Sequence, residues 1–303
     1  MTSSSTSSTL SKNEILAMNL SLGIGLCMLG IKWYAYFITG SVAIFSDAME
    51  SVVHQLAVAF AFYSLRVTYR PPDHDHNYGH DKITYFSAGL EGGLIIIAAI
   101  VIIGTAIKKM IVGVTLEQLG TGTLLTALAG GINAVLGFYL VKVGKKEKSL
   151  IVEANGRHIL TDAWTSVGAV IGLSLAAYTG YSIIDPILAL LFGSNIIWEG
   201  YKLMRSAVGG LMDKSNPEFF NKAESALNEY TTNTGTTFHR LRLRESGNRV
   251  YVDFHIVFQD GTMIEDAHRL ATEAELCVAT AIDHACDITS HLESTDLPEG
   301  HID

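Results

Sequence analysis

Two pairs of metal-binding side chains sit at matched spacing within otherwise apolar stretches. Glu50 and His54 are four residues apart, and so are His158 and Asp162. In a helix that spacing puts both members of a pair on one face. Two such faces turned together supply two carboxylates and two imidazoles, and four N/O ligands in a tetrahedron suit Zn²⁺. Ionisable groups inside a membrane span are costly and usually face a polar cavity that serves function. The alternative is that they seal helix contacts through hydrogen bonds. Asp47 falls about one turn before Glu50 and offers an accessory ligand, a proton carrier or a cap. Glu91 and Asn133 are lone polar residues, read as interhelical hydrogen-bonding groups.

The other histidines form two further groups. PPDHDHNYGHDK (71–82) packs Asp73, His74, Asp75, His76 and His80 into one loop. His76 and His80 share a helical face if the following helix starts early, with Asp73 adding a carboxylate. Towards the C-terminus, His239 and His255 fall on neighbouring predicted strands, His268 on a predicted helix, and His291 and Glu293 on a last strand. Residues two apart on a strand point to the same sheet face, as His291 and Glu293 would. His284 and His301 have no assigned role.

These residues need elements to hold them. Six stretches approach the roughly 20 mostly apolar residues that cross a bilayer: 14–37, 41–65, 84–107, 120–143, 150–178 and 183–207. Polar residues interrupt several, and the second and fifth are expected to be weakest by hydropathy. Gly92-Gly93, Gly130-Gly131 and Gly168 permit close helix approach. Arg66, Arg70, Lys82, Lys142, Lys145, Lys146, Lys148, Lys202, Arg205 and Lys214 gather on one side of the spans, against Lys108 and Lys109 on the other. Positive charge marks the cytoplasmic side, so both termini are expected there.

Beyond residue 213 the pattern changes. Asn216-Pro217 reads as a helix start, with Asn as cap and Pro in the first turn. A helix over 217–229 follows, then alternating strands at 239–246 and 250–258 joined at Gly247-Asn248, a helix at 263–283 and a strand at 286–292. The expected fold is an all-α six-helix transmembrane domain plus a small cytoplasmic α+β domain of order αββαβ. The expected division is a disordered leader (1–12), a transport domain (13–210), a metal-binding and dimerisation domain (211–295) and a loose tail (296–303).

Composition narrows the function. Of 303 residues, 49% are hydrophobic and 17% charged. Residues 213–303 carry a net charge of −10, and residues 1–212 a net of +1. An acidic C-terminal part disfavours nucleic acid, whose phosphates need Lys and Arg, and suits cations. Cys27, Cys277 and Cys286 form no Cys-x-x-Cys pair. The polar N-terminal segment lacks the layout of a secretory signal.

GSVAIFSDAMESVVH (40–54), NYGHDK (77–82) and HILTD (158–162) resemble the signatures of the cation diffusion facilitator family of metal/proton antiporters, and the likeness runs over nearly the whole chain. The resemblance implies a transport site of Glu50, His54, His158 and Asp162, and a loop site of Asp73, His76 and His80. It implies a binuclear site of His239, His255, His268, His291 and Glu293 in a metallochaperone-like cytoplasmic domain, bridging two protomers. Lys82 and Asp213 match positions that form a charge interlock at the dimer interface. Many members carry Asp or His, then Asp, where Glu50 and His54 stand.

The expected activity is proton-coupled efflux of a divalent ion from the cytoplasm by a homodimer in the inner membrane. Zn²⁺ is expected first, with Fe²⁺, Co²⁺, Cd²⁺, Mn²⁺ and Ni²⁺ as the other candidates. The competing reading is a non-transporting membrane metal sensor. An intramembrane metalloprotease would show His-Glu-x-x-His, which is absent.

Overall fold

The computed structural model describes residues 12–68, 70–113, 116–147, 150–247 and 249–295. The expectations placed on residues 1–11 and 296–303, and those on Lys148, Asn248 and His301, lie outside the described residues. The described residues form two compact units, one of residues up to Tyr63 with Ser87–Met204 and one of Ser64–Phe86 with residues from Arg205 onward.

Six long helices appear in order: α1 (Lys12–Thr39), α2 (Val42–Thr68), α3 (Ile83–Val112), α4 (Leu119–Glu147), α5 (Leu150–Thr179) and α6 (Ile184–Leu211). Among the described residues, all but α6 contain a stretch long and apolar enough to cross a membrane. The weakest by hydropathy is therefore α6, not α2 or α5 as the sequence suggested. Asp185, Asn195, Glu199 and Lys202 dilute its apolar residues. Phe37, Val135, Phe138, Trp164 and Ile171 lie on the outside, 63–74% exposed. So much outward apolar area fits hydrocarbon surroundings rather than water.

Small residues bring α4 and α5 together. A Cβ added at Gly137 would sit 2.7 Å from Leu160 Cγ and 3.0 Å from the Gly156 carbonyl. One added at Gly130 would meet Ser166 Cβ at 2.9 Å. In lipid, where apolar surfaces gain nothing by meeting, this close backbone packing is what holds helices together. It fixes α5, which carries His158 and Asp162.

The tight turns at Gly40 (φ 66°) and Gly180 (φ 74°) use left-handed backbone to end α1 and α5. Asp185 of α6 then caps α2. Its carboxylate accepts from Ser41 Oγ at 2.5 Å and from the amides of Val42 and Ala43 at 2.7 and 3.1 Å. A carboxylate there satisfies free amides and faces the positive end of the helix dipole. The start of α2, three turns before His54, is thereby fixed.

The second unit contains α7 (Pro217–Thr234), β1 (Thr237–Ser246), β2 (Arg249–Phe258), α8 (Ile264–Ile282) and β3 (Cys286–Ser294). Asn216 caps α7 by accepting from the Glu218 amide, with Pro217 in the first turn, as the sequence indicated. The sheet order is β1-β2-β3; β1 and β2 are antiparallel, and β2 and β3 are parallel across the α8 connection. Val250, Val252, Phe254, Ile256 and Phe258 alternate along β2 and form the core with Ala267, Ala271, Ala274, Val278 and Ile282 of α8 and Leu227 of α7. The odd-numbered residues of β2 point to the opposite face.

Candidate metal centres

The most compact set of ligands lies on that opposite sheet face. His239 pairs in register with His255, and His255 with His291, so three imidazoles form a row across the three strands. Ring centroids are 5.0 Å apart between His239 and His255, and 4.8 Å between His255 and His291. Glu293 closes the row: His255 Nδ1 lies 2.6 Å from one carboxylate oxygen and His239 Nε2 lies 3.2 Å from the other. His291 Nε2 is 3.9 Å away. Burial alone would raise the Glu293 carboxyl, but the hydrogen bond with His255 and the neighbouring imidazoles outweigh it and hold the group below its usual range.

A β-bulge makes this row possible. Strict alternation along 239–246 would put His239 on the same face as Leu241 and Leu243, towards the helices. Instead the register shifts between His239 and Arg242, and Arg240 adopts φ 54°. The extra residue turns His239 to the His255 side while Leu243 stays in the core. His268 does not join the row. It is exposed on α8, in the layer that covers the other face of the sheet. Within one chain the row therefore holds four of the five residues expected from the resemblance, with His268 on the far side of the sheet.

The loop before α3 holds the second set. Asp73 Oδ1 accepts from the amides of Asp75 and His76 at 3.1 and 2.7 Å, closing the chain into a turn. The hydrogen bond from the His76 amide is the main reason the Asp73 carboxyl is held below its usual value. His76 Nδ1 stands 3.2 Å from Asp73 Oδ1, and His80 Nε2 stands 3.4 Å from Asp73 Oδ2. The imidazole centroids are 4.4 Å apart. The expected shared helical face is not what joins them, because α3 begins only at Ile83; the Asp73 turn does. Ligand atoms around a tetrahedral Zn²⁺ lie on the order of 3.3 Å apart, so both sets are close to coordination geometry. They are the two groups among the described residues in which three ligand atoms fall within 4.8 Å of one another: Asp73, His76 and His80, and His239, His255 and Glu293.

The intramembrane residues are less tightly gathered. The His54 and His158 rings stack across α2 and α5, with centroids 4.3 Å apart and planes at 26°. His158 Nε2 is 3.7 Å from Asp162 Oδ1. His54 and Asp162 are buried, and His54 Nε2 and Asp162 Oδ1 have no hydrogen-bond partner. Such unmet groups each cost about 1–3 kcal/mol; an ion bound between them would remove that cost. Glu50 lies one turn before His54 on α2.

Asp47, the possible accessory ligand, is engaged in a buried network. Its Oδ1 accepts from Lys32 Nζ at 2.7 Å, and its Oδ2 from Ser166 Oγ at 3.1 Å. Sequence reasoning passed over Lys32, Ser166 and Asp185. The signal for Lys32 was available: it is a lone lysine in the middle of an apolar run. Lys82 Nζ and Asp213 Oδ1 meet at 2.9 Å within one chain. Arg244 joins them, 3.7 Å from Asp213 and stacked over Tyr251 and Tyr78.

Comparison with known proteins finds two family domains in the chain. Residues 18–212 match the family described as the cation efflux transmembrane domain, and residues 216–295 match the cation efflux protein cytoplasmic domain. An uncharacterized transporter of Synechocystis, sll1263, is 35% identical over 280 residues, covering 92% of this chain and 90% of the relative. The cation-efflux pump FieF of Citrobacter koseri is 26% identical over 252 residues, 83% of each chain. The zinc transporter ZitB of Escherichia coli is 29% identical over 177 residues, 58% of this chain and 56% of that one. With apolar helices, a histidine-lined sheet and both family domains in one polypeptide, the chain belongs to the cation diffusion facilitator family of integral membrane cation-efflux proteins.

Proposed function

We propose that this protein exports a divalent transition-metal ion, Zn²⁺ first among the candidates, from the cytoplasm in exchange for protons. Glu50, His54, His158 and Asp162 are the ligands of the carried ion. The observation that carries this reading is the stacked His54–His158 pair, with an orphaned imidazole nitrogen and an orphaned Asp162 oxygen buried beside it. The name of the zinc transporter ZitB supports zinc, and that of the cation-efflux pump FieF supports the direction.

Ligand chemistry supplies the coupling. A metal binds neutral imidazole, so metal and protons compete for His54 and His158. Histidine suits that exchange because its unperturbed pKa is about 6.5. In the inward-facing state the ion displaces protons; in the outward-facing state protons displace the ion. The working unit is a homodimer with both termini in the cytoplasm of an inner-membrane protein. The His239, His255, His291 and Glu293 row and the Asp73, His76 and His80 loop bind cytoplasmic metal and bias the cycle by linkage. Lys82 and Asp213 tie the loop unit together where the protomers meet.

Zinc uptake into proteoliposomes under an imposed pH gradient tests the reading. Wild type takes up zinc, and uptake falls when the gradient is collapsed. Asp162→Ala abolishes uptake while its elution from size-exclusion chromatography is unchanged. Undiminished uptake by Asp162→Ala would refute this assignment of the site.

A further inference from the structure

A second assembly of buried charge lies among the candidate ligands. Lys32 of α1 is 1% exposed, and its Nζ donates to Asp47 Oδ1 at 2.7 Å and to Ser51 Oγ at 2.8 Å. Ser51 Oγ donates in turn to the Asp47 carbonyl at 2.9 Å, and Ser166 Oγ of α5 donates to Asp47 Oδ2 at 3.1 Å. The network is interleaved with the ligand faces. Asp47, Glu50, Ser51 and His54 follow one stripe of α2, and Ser166 comes one turn after Asp162. Asp47 is therefore a third carboxylate at the edge of the transport site. Both of its oxygens are occupied, one by the ammonium and one by the hydroxyl.

We propose that Lys32 is a specificity-determining residue of the transport site: it holds Asp47 out of the ion's ligand set. The inference rests on the transport reading and adds to it. With Asp47 held, a divalent ion meets two carboxylates and two imidazoles, and the charges of ion and carboxylates cancel. Four mixed N/O ligands suit tetrahedral Zn²⁺. Without the ammonium, Asp47 would add a third carboxylate and further oxygen ligands, a set that favours Mn²⁺ and other oxygen-seeking ions over those that prefer imidazole. Lys32 thus selects by removing a competing ligand rather than by touching the ion.

The test is pH-driven uptake of Zn²⁺ and of Mn²⁺ by proteoliposomes carrying wild type, Lys32→Met, Asp47→Asn or the double variant. Lys32→Met raises the Mn²⁺ to Zn²⁺ rate ratio by roughly tenfold, and the double variant, which lacks the freed carboxylate, returns it to within about twofold of wild type. An unchanged ratio in Lys32→Met overturns the proposal, as does an altered ratio that persists in the double variant. If Lys32→Met does not reconstitute, Asp47→Asn decides. With Asp47 outside the ligand set, its loss keeps the Mn²⁺ to Zn²⁺ ratio within about twofold of wild type; a larger change of ratio overturns the proposal. Wild-type vesicles that take up neither ion would instead refute the transport reading itself.

Discussion

His239 and His255 face each other across β1 and β2 because Arg240 absorbs one extra residue between them and the Arg242–Asp253 pair. The bulge has two consequences. It moves His239 from the core face to the face that carries His255 and His291, and it holds a non-glycine residue, Arg240, at φ 54°. Left-handed backbone is tolerated poorly by most side chains and worst by β-branched ones.

Substitution at Arg240 should therefore separate backbone from charge. Arg240→Gly is expected to retain zinc binding at the row. Arg240→Val should destabilise β1 by about 1–2 kcal/mol and weaken zinc binding, although it removes no ligand. Hydrogen exchange of the β1 and β2 amides, with zinc titration of the same proteins, measures both effects.

The contact between Gly137 and Gly156 sets how closely α4 and α5 approach. Gly137→Leu forces a side chain into space held by Leu160 and the Gly156 carbonyl, at a cost of roughly 1–3 kcal/mol or more. Thermal unfolding in detergent should show a lowered Tm, and zinc uptake should fall, because α5 carries two of the proposed ligands, His158 and Asp162. Gly131→Ala on the same helix meets nothing within 4 Å and should leave Tm nearly unchanged.

Two interactions around Asp213 should differ in strength. Lys82 and Asp213 are 39% and 41% exposed at their side chains, and exposed pairs contribute about 0–1 kcal/mol. The Arg244 guanidinium lies 4.6 Å from the Tyr251 ring centroid and 5.3 Å from that of Tyr78, contacts worth about 0.5–2 kcal/mol together. Lys82→Ala should cost little, and less still at high salt. Arg244→Ala should cost more and depend weakly on salt. Hydrogen exchange in low and high salt, read over β2 and the loop, distinguishes them.

Tyr230 supplies a pH dependence of known sign. Burial, reinforced by the charge of Glu273, pushes its hydroxyl up to about 12, where it donates to the Leu270 carbonyl at 2.8 Å. An unfolded tyrosine ionises near about 10. A raised pKa gives stability that is whole below the unfolded value and is lost as pH rises through the folded one. The C-terminal domain should therefore weaken between about pH 10 and 12, and Tyr230→Phe should remove that part of the loss. Circular dichroism of both proteins across this range measures it.

Helical spacing is a rigid rule, so part of the candidate site was legible. Glu50/His54 and His158/Asp162 were identified as shared faces from spacing alone, and Asn216-Pro217 marked the start of α7. The bulge was not legible, because HRLRLRES alternates so regularly that it conceals a shift of face. The separation of His268 also depends on which sheet face α8 covers, and strand periodicity does not state that. Lys32 escaped notice because a lysine in an apolar span has no partner until three helices are packed. One of the polar residues that lower the hydropathy of α6, Asp185, is the residue that caps α2.

In the proposed transport site, two imidazoles and two carboxylates from α2 and α5 hold one ion within the membrane. Zinc-edge X-ray absorption tests it most directly, on a protein whose outer sets are disabled by Asp73→Ala, His255→Ala and Glu293→Ala. One zinc per chain should be retained, with two histidine nitrogens and carboxylate oxygens at about 2.0–2.2 Å, and lost when His54→Ala and His158→Ala are added. Zinc retained with the same spectrum after both histidines are removed would contradict it.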